Sequence, residues 1–357
     1  MRTYIRFLTD LFLKSFVYVI LIMISLVFIL NLLSEIEFFK EIKVDNSFTL
    51  FLTALNTPTM IFEMFPFIFL ISTQLFFIKL FENKEIDIFK YTGLKNSRIL
   101  IIIGTLSLIV GIIITIFFYN FSSGLKNFYL ELKSQYTTDG KYLAVITKNG
   151  LWIKDKFDNK ILIINSSKIE QNYLIGNFIT EFDKDFKSIR NIKSEKIDIT
   201  NNEWIVFDAK IYKKNNYENK DEIRLKTNFN YKRIQSLYSN LSSLNIFQLY
   251  ELRKNYLRLN YSVTEVNLQI LKLISFPLYL LMMVIFSACI MLRIKYLDSS
   301  TVKISIGIFC SVIIYYMNNF FYVLGSTERI PLSIAIFLPL FILTLTNSFL
   351  INNINEK

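Results

Sequence analysis

The sequence contains no histidine and only two cysteines, nine glycines and five prolines among its 357 residues. Without histidine, the chain has no histidine-based catalytic triad, no histidine-ligated zinc and no histidine proton shuttle. Cys289 and Cys310 both lie within apolar runs, where we expect inert packing residues rather than a disulfide or a redox pair. These absences exclude several large classes of enzyme.

The sequence also lacks the motifs by which proteins bind nucleotides or hydrolyse peptides. The nearest approach to a Walker A loop is Gly140-Lys141, but Tyr142 follows it and the upstream glycine is missing. No metalloprotease helix, nucleophile elbow or dinucleotide fingerprint is present. We therefore expect no catalytic residues, no metal site and no cofactor bound by this chain.

Long apolar runs dominate what is present. Hydrophobic residues make up 53% of the chain, 35 of them phenylalanine, and the mean hydropathy is +0.40. Six runs approach the roughly 20 residues that cross about 30 Å of hydrocarbon. They cover residues 13–33, 59–80, 99–121, 273–292, 302–324 and 331–351. The sequence thus predicts an integral membrane protein with six transmembrane helices.

The basic residues of the short loops are unevenly distributed between the two sides of these spans. One side carries Arg2, Arg6, Lys14, Lys79, Lys84, Lys90, Lys95, Arg98, Arg293, Lys295, Lys303 and Lys357, and the other only Lys40, Lys43 and Arg329. Cytosolic loops carry the excess of Lys and Arg, so we expect both termini and segment 82–98 in the cytosol. Region 122–272 is then extracytoplasmic. The net charge of +11 comes with no RNA-binding motif, so no nucleic-acid partner is expected.

The region between spans three and four has the pattern of a β domain. Apolar and polar residues alternate along 196–200, 204–212 and 222–229, and Asn- and Gly-containing breakers separate such segments. Many short strands at regular spacing predict an antiparallel sandwich or jelly roll. From residue 246 to 259 the apolar period becomes helical, which predicts an amphipathic helix leading to span four. We expect domains at 1–121, 122–245 and 246–357.

The charged segment 82–98 predicts a short cytosolic helix that binds a partner. Its apolar positions are Ile86, Ile88, Phe89 and Leu94, and Gly93 suits a helix C-terminus. A helix lying on lipid is the alternative. In that position Glu82, Glu85 and Asp87 would face an anionic leaflet, so a protein partner explains the acids better.

A few polar residues lie at the opposite ends of the spans. Asn31, Asn318 and Asn319 are either hydrogen-bonding groups between helices or substrate contacts. Lys40 and Lys43 are either solvated loop residues or contacts for anionic head groups and phosphates. Both alternatives remain open at this point.

Several local segments, in their order and spacing, resemble the lipopolysaccharide-export permeases of the LptF/LptG type over essentially the whole chain. The segments are Arg2-Thr3-Tyr4-Ile5, the Pro58 to Pro66 stretch with its acidic Glu63, the helix pattern of 85–94, Asn149-Gly150-Leu151-Trp152-Ile153-Lys154-Asp155, and the entry to span four at 271–278. The segment at 149–155 is typical of the LptG branch, which the resemblance therefore favours.

The resemblance implies a permease subunit of an ABC transporter in the bacterial inner membrane. It would pair with a paralogous LptF-like permease and use a cytosolic ATPase dimer, so that ATP is consumed by the partner. Spans one and five would form lateral gates. Lipopolysaccharide would pass through a periplasmic β-jellyroll to LptC- and LptA-like bridge proteins.

The resemblance also implies roles for particular residues. Glu85 matches the acidic residue that meets the ATPase, and the implied coupling residues are Glu85, Ile86, Phe89, Gly93 and Leu94. Family members often carry a basic residue near the outer end of span one, where this chain has Asn31. Phosphate contact would then come from Lys40, Lys43 or elsewhere, and the implied substrate-binding set is Asn31, Lys40, Lys43, Asn318 and Asn319.

Two other functions fit the sequence less well. A membrane receptor or scaffold with an extracytoplasmic β domain would not transport, and it would have no stoichiometric ATPase partner. An ion-coupled carrier needs ionisable groups in the middle of the membrane, and the predicted spans offer few.

Overall fold

The computed structural model describes residues 3–40, 44–134, 136, 151–157, 160–170, 172–184, 186–213, 216–231, 234, 240–258, 262–293 and 299–352. Contacts divide the chain into two units. One comprises Met1–Lys126 and Thr264–Lys357, and the other comprises Asn127–Val263. The domain boundaries expected from the sequence remain predictions, and the segment that follows the strands, as far as Val263, belongs to the second unit.

The first unit is helical. The helices described in the chain are α1 (Thr3–Phe38), α2 (Asn46–Glu82), α3 (Glu85–Tyr91), α4 (Asn96–Ile113), α5 (Tyr119–Ser134), α6 (Ile246–Arg258), α7 (Thr264–Arg293), α8 (Ser300–Ser326) and α9 (Leu332–Ile351). Helix α6 and the part of α5 from Asn127 onward belong to the second unit. A π-turn, Ile114–Phe118, joins α4 to α5.

Six helices within the described residues are long and apolar enough to cross a membrane: α1, α2, the continuous helix Asn96–Lys133, α7, α8 and α9. Each has the length that a hydrocarbon core of about 30 Å requires. The chain is a multi-pass membrane protein, as its hydropathy predicts.

Helix α2 is the centre of the helical unit. In its most apolar stretch 72% of the residues are buried, against 22% in each of α1, α8 and α9. Phenylalanine supplies much of the packing: Phe62 stacks on Phe276 of α7 at 4.6 Å between ring centroids, and Phe69 lies 4.8 Å from Phe16 of α1. The buried hydroxyl of Thr73 donates to the Phe69 carbonyl of its own helix, so its burial leaves no unpaired donor.

The second unit contains a six-stranded antiparallel sheet. Its strands are β1 (Leu151–Phe157), β2 (Lys160–Glu170), β3 (Tyr173–Phe182), β4 (Ser188–Asp198), β5 (Glu203–Lys213) and β6 (Asn216–Lys226). They pair in sequence order. This arrangement confirms the predicted fold class of six transmembrane helices with an antiparallel β domain between the third and the fourth. The described strands form a meander, in which each strand pairs with its neighbours in sequence.

One face of the sheet carries the core of this unit. Ile164, Ile179, Ile192 and Ile211 follow one another across four neighbouring strands and are almost fully buried. Trp204 of β5 is also fully buried, and its indole N–H donates to the Phe229 carbonyl at 2.8 Å. The segment after β6 helps to cover this face, because Phe229 and Ile234 belong to the same buried cluster and Tyr231 packs against it.

Asp155 links the two edges of the meander. It is 1% exposed on β1, and its carboxylate accepts hydrogen bonds from the backbone N–H and the side-chain amide of Asn228, each at 2.8 Å. Asn228 follows β6, 73 positions along the chain. A buried carboxylate needs such donors, and here they join the first strand to the segment after the last.

Candidate functional site

Helix α3 is a seven-residue helix with well-defined ends. Lys84, immediately before it, has a left-handed backbone with φ 54°. At its C-terminus the N–H of Gly93 donates to the Lys90 carbonyl at 3.0 Å and the N–H of Leu94 donates to the Phe89 carbonyl at 2.8 Å. This is a Schellman ending, in which the residue at the position of Gly93 needs a positive φ. Gly93 has φ 82°, which explains the glycine there.

The two sides of α3 face in different directions. Ile86 is 1% exposed, and the Phe89 ring packs edge-on against Phe7 of α1 at 6.2 Å between centroids. Ile88 is 56% exposed and Tyr91 is 92% exposed. Ile86 and Phe89 therefore attach the helix to the bundle, while Ile88 and Tyr91 form an apolar and aromatic outer surface.

Glu85 opens α3 with an incompletely satisfied carboxylate. Its Oε1 accepts a hydrogen bond from the side-chain amide of Asn83 at 3.4 Å. Its Oε2 is buried and has no hydrogen-bond partner within the part of the chain that the structure describes. Buried carboxylate oxygens without donors are rare, because the loss of hydration is not compensated.

The same end of the bundle contains the first turns of α8. The Ser300 hydroxyl of α8 donates to the Glu82 carboxylate at 3.4 Å, and the Lys303 ammonium lies 5.0 Å from the Phe81 ring centroid. Helix α3 contacts α1 through Phe7. Glu82, which ends α2 and accepts the bond from Ser300 of α8, is separated from the start of α3 by only two residues. A displacement of α3 would thus act on the ends of both helices.

At the opposite end of the helical unit, Asn31 belongs to a buried polar network. Its amide donates to the Thr53 carbonyl at 3.1 Å, and its Oδ1 accepts from the Asn56 amide at 2.9 Å. The Lys126 ammonium of α5 in turn donates to Asn56 Oδ1 at 2.5 Å. Asn31 is 4% exposed, so it connects α1, α2 and α5 in the manner of an interhelical hydrogen-bonding residue.

The other residues proposed for substrate lie in different surroundings. Asn318 is half-buried and hydrogen-bonds Tyr279 of α7, whereas Asn319 is exposed. Lys40 is exposed just after α1. Lys43 lies outside the described residues. Asn31 and Asn318 therefore take part in separate helix contacts.

An apolar groove of about 410 Å³ lies along α1 and α2. One wall of the groove is lined by α1 at four-residue spacing, through Phe16, Ile20, Ile24 and Phe28. Residues of α2 form the second wall, and Ile114 and Phe118 of the π-turn form the third wall. A π-turn carries one extra residue per turn, which displaces the following helix relative to an α-helical path. The groove is lined almost entirely by apolar side chains and offers almost no polar contact.

Sequence reasoning missed several of the residues that these contacts single out. Tyr91 was not among the predicted coupling residues, although its three-residue spacing from Ile88 is the signal that could have identified it. Asn56 and Lys126 were also missed, because their partners are 25 and 70 positions away in the sequence. Among the described residues, no group of three or more Cys, Asp or Glu side chains is arranged to hold a metal ion.

Comparison with known proteins yields one family. The family model described as "Lipopolysaccharide export system permease LptF/LptG" matches residues 6–353, nearly the whole chain. No curated protein matches the chain.

Proposed function

Because the chain belongs to the LptF/LptG family of lipopolysaccharide export system permeases, we propose that it extracts lipopolysaccharide from the bacterial inner membrane, driven by a separate cytosolic ATPase. The family functions as part of an ABC transporter complex. The observation that carries the proposal is the geometry of α3. This helix is anchored by Ile86 and Phe89 and presents Ile88 and Tyr91 outward.

Helix α3 acts as the coupling helix in this proposal. Both termini and α3 lie in the cytosol, where Ile88 and Tyr91 enter the ATPase surface and a donor from the ATPase satisfies Glu85. Gly93 and Leu94 fix the end of the helix, so that force applied to its outer face is transmitted to the bundle. ATP is consumed by the partner, and this chain binds no cofactor.

Movement of α3 opens the gates that α1 and α8 form. Phe7 of α1 contacts α3 directly, and the Ser300 hydroxyl of α8 bonds Glu82 just before it. ATPase closure would shift both contacts at once, as expected of a two-state element. A paralogous LptF-like permease completes the cavity, and the segment at 149–155 favours the LptG branch for this chain.

Lipopolysaccharide enters from the outer leaflet in this proposal. The apolar groove along α1 holds an acyl chain during entry, and the β unit, which lies in the periplasm, passes the lipid to LptC- and LptA-like bridge proteins. Exposed Lys40 and Asn319, together with Lys43, are the proposed head-group contacts. Asn31 and Asn318 act instead by holding helices together.

The decisive experiment separates docking on the ATPase from the packing of α3. We expect Tyr91→Ala to reduce the affinity for the ATPase by about tenfold or more, because a large, exposed aromatic side chain is a typical hot spot. Glu85→Arg should uncouple ATP hydrolysis from lipid release while the protein still inserts. Co-purification in mild detergent and ATP-dependent release of lipopolysaccharide from proteoliposomes measure the two effects.

Lys95→Ala is the matched control, since Lys95 is exposed beyond the end of α3. It should retain both ATPase binding and transport. Normal binding and transport by both Tyr91→Ala and Glu85→Arg would rule out α3 as the coupling element. Absence of any ATPase partner for the unmodified chain would favour a receptor or scaffold.

A further inference from the structure

Helix α6 carries two apolar stripes instead of one. Leu249 and Leu252 are 0% and 2% exposed, which confirms the buried face that its sequence period predicts. On the other side Phe247 is 79% exposed, Tyr250 is 49% exposed and Leu257 is 55% exposed. Positions 247, 250 and 257 fall on one face of a helix, so they form a continuous outer stripe.

This stripe is tethered to a membrane-spanning helix. Arg258 ends α6 and Thr264 begins α7, whose length and apolarity suit a transmembrane span. The six peptide steps between them reach about 21 Å at most. This short connection keeps the C-terminal end of α6 within reach of the membrane surface.

The chemistry of the stripe matches a lipid surface better than water. Phenylalanine, tyrosine and leucine favour the boundary between head groups and acyl chains. Lys254 lies within the same stripe, and long basic side chains reach from such positions to phosphates. The helix has three basic residues, Arg253, Lys254 and Arg258, against one acid, Glu251, so anionic lipid is favoured over zwitterionic lipid.

We propose that α6 is an interfacial anchor, in which Phe247, Tyr250 and Leu257 insert between the head groups of anionic phospholipids. This surface is separate from the coupling helix and from the groove along α1.

Site-directed fluorescence in lipid nanodiscs tests the proposal. Cys289 and Cys310 are replaced by serine, and single cysteines at 247, 250 or 257 carry an environment-sensitive NBD label. In discs that contain phosphatidylglycerol, the permease alone should show emission at shorter wavelength at all three positions. Nitroxide-labelled lipids should quench that emission.

Two label positions serve as matched controls. Gln248 is an exposed polar residue of α6 outside the stripe, and Tyr217 is an exposed aromatic residue of β6. Both should give water-like emission without lipid quenching. In a Trp152→Phe background, buried Trp204 reports whether each variant remains folded, since unfolding would expose its indole.

The outcomes distinguish the possible occupants of the stripe. Water-like emission at all three stripe positions would overturn the proposal. So would a shift that appears only after partner subunits are added and that lipid nitroxides do not quench, because the stripe would then be a protein interface. Equal shifts in discs without anionic lipid would overturn the preference for anionic head groups.

Discussion

Glu181 is a buried carboxylate on the inner side of the sheet, and two neighbouring cations keep it ionised. Its side chain is 2% exposed; Lys160 donates to Oε1 at 2.6 Å and Arg190 donates to Oε2 at 2.5 Å. Burial alone would raise the pKa of this carboxyl, but the hydrogen bonds and charges of Lys160 and Arg190 outweigh it and hold the pKa below its ordinary value. The carboxylate therefore stabilises the folded sheet when it is ionised.

The depressed pKa of Glu181 gives a pH-dependent prediction. The stabilisation is complete above the pKa that the residue has in the unfolded chain, about 4, and is lost as the pH falls through the lower folded value. Glu181→Gln should lower the free energy of unfolding at neutral pH by about 2 kcal/mol. It should also reduce the loss of stability on acidification. Denaturation of the detergent-solubilised protein, followed by Trp204 fluorescence in a Trp152→Phe background, measures both.

Glu203→Gln supplies the comparison for this experiment, because Glu203 is exposed on β5. It should change the free energy of unfolding by less than about 0.5 kcal/mol. If Glu181→Gln were equally neutral at every pH, the carboxylate would have no net stabilising role.

At the scale of elements, α8 docks on α2 through a glycine and a buried amide. The Gln74 amide of α2 donates to the Lys303 carbonyl of α8 at 2.8 Å, and Gln74 is fully buried. A Cβ on Gly307, one turn further along α8, would lie 1.9 Å from that amide nitrogen. Glycine is needed here for close approach of the two helices, as at many interfaces between membrane helices.

Gly307→Ala should therefore displace Gln74 and break its bond to the Lys303 carbonyl. We expect a loss of about 1–3 kcal/mol in stability, since overpacking and a lost hydrogen bond act together. Thermal denaturation of the purified protein in detergent provides the measurement. In the proposed transporter the variant should also weaken the response of α8 to the ATPase, because the N-terminal end of α8 is held less firmly.

Gly124→Ala is the control for this substitution. Gly124 lies in α5, and an added Cβ there would meet no atom within 4 Å. Alanine should be neutral or stabilising by up to about 1 kcal/mol, because it favours the helix. Equal effects of the two alanine substitutions would contradict the packing role assigned to Gly307.

At the scale of the whole molecule, the exposed faces of α1 and α8 can be covered either by lipid or by a partner permease. Only 22% of the most apolar stretch is buried in each of α1, α8 and α9. Lipid alone can cover such faces, but the proposed transporter needs α1 and α8 to adjoin a second permease. Helix α9 has no such role and should face lipid.

Cysteine crosslinking to the partner permease tests this arrangement. Single cysteines at Leu30 of α1 or Tyr316 of α8, which are 57% and 66% exposed, should form crosslinks to the co-expressed permease. A cysteine at Phe341 of α9, which is 58% exposed, should not. Crosslinking from α9 alone would place the partner on a different face and refute the proposed gates.

The sequence alone determined the architecture and the family of this protein. Apolar runs of bilayer length and period-two alternation act over a few residues, so they specify spans and strands directly. The same local signals placed a helix before Gly93 and buried Leu249 and Leu252. Five short segments in a fixed order were enough to identify the permease family, which the family match then confirmed.

Only the tertiary structure decided how particular side chains are used. Asn31 bonds Thr53 and Asn56, and Ile86 faces the bundle while Tyr91 faces outward. Asp155 bonds Asn228 across 73 positions. These outcomes depend on which helices and strands pack together, and no local periodicity encodes contacts between residues so far apart in the chain.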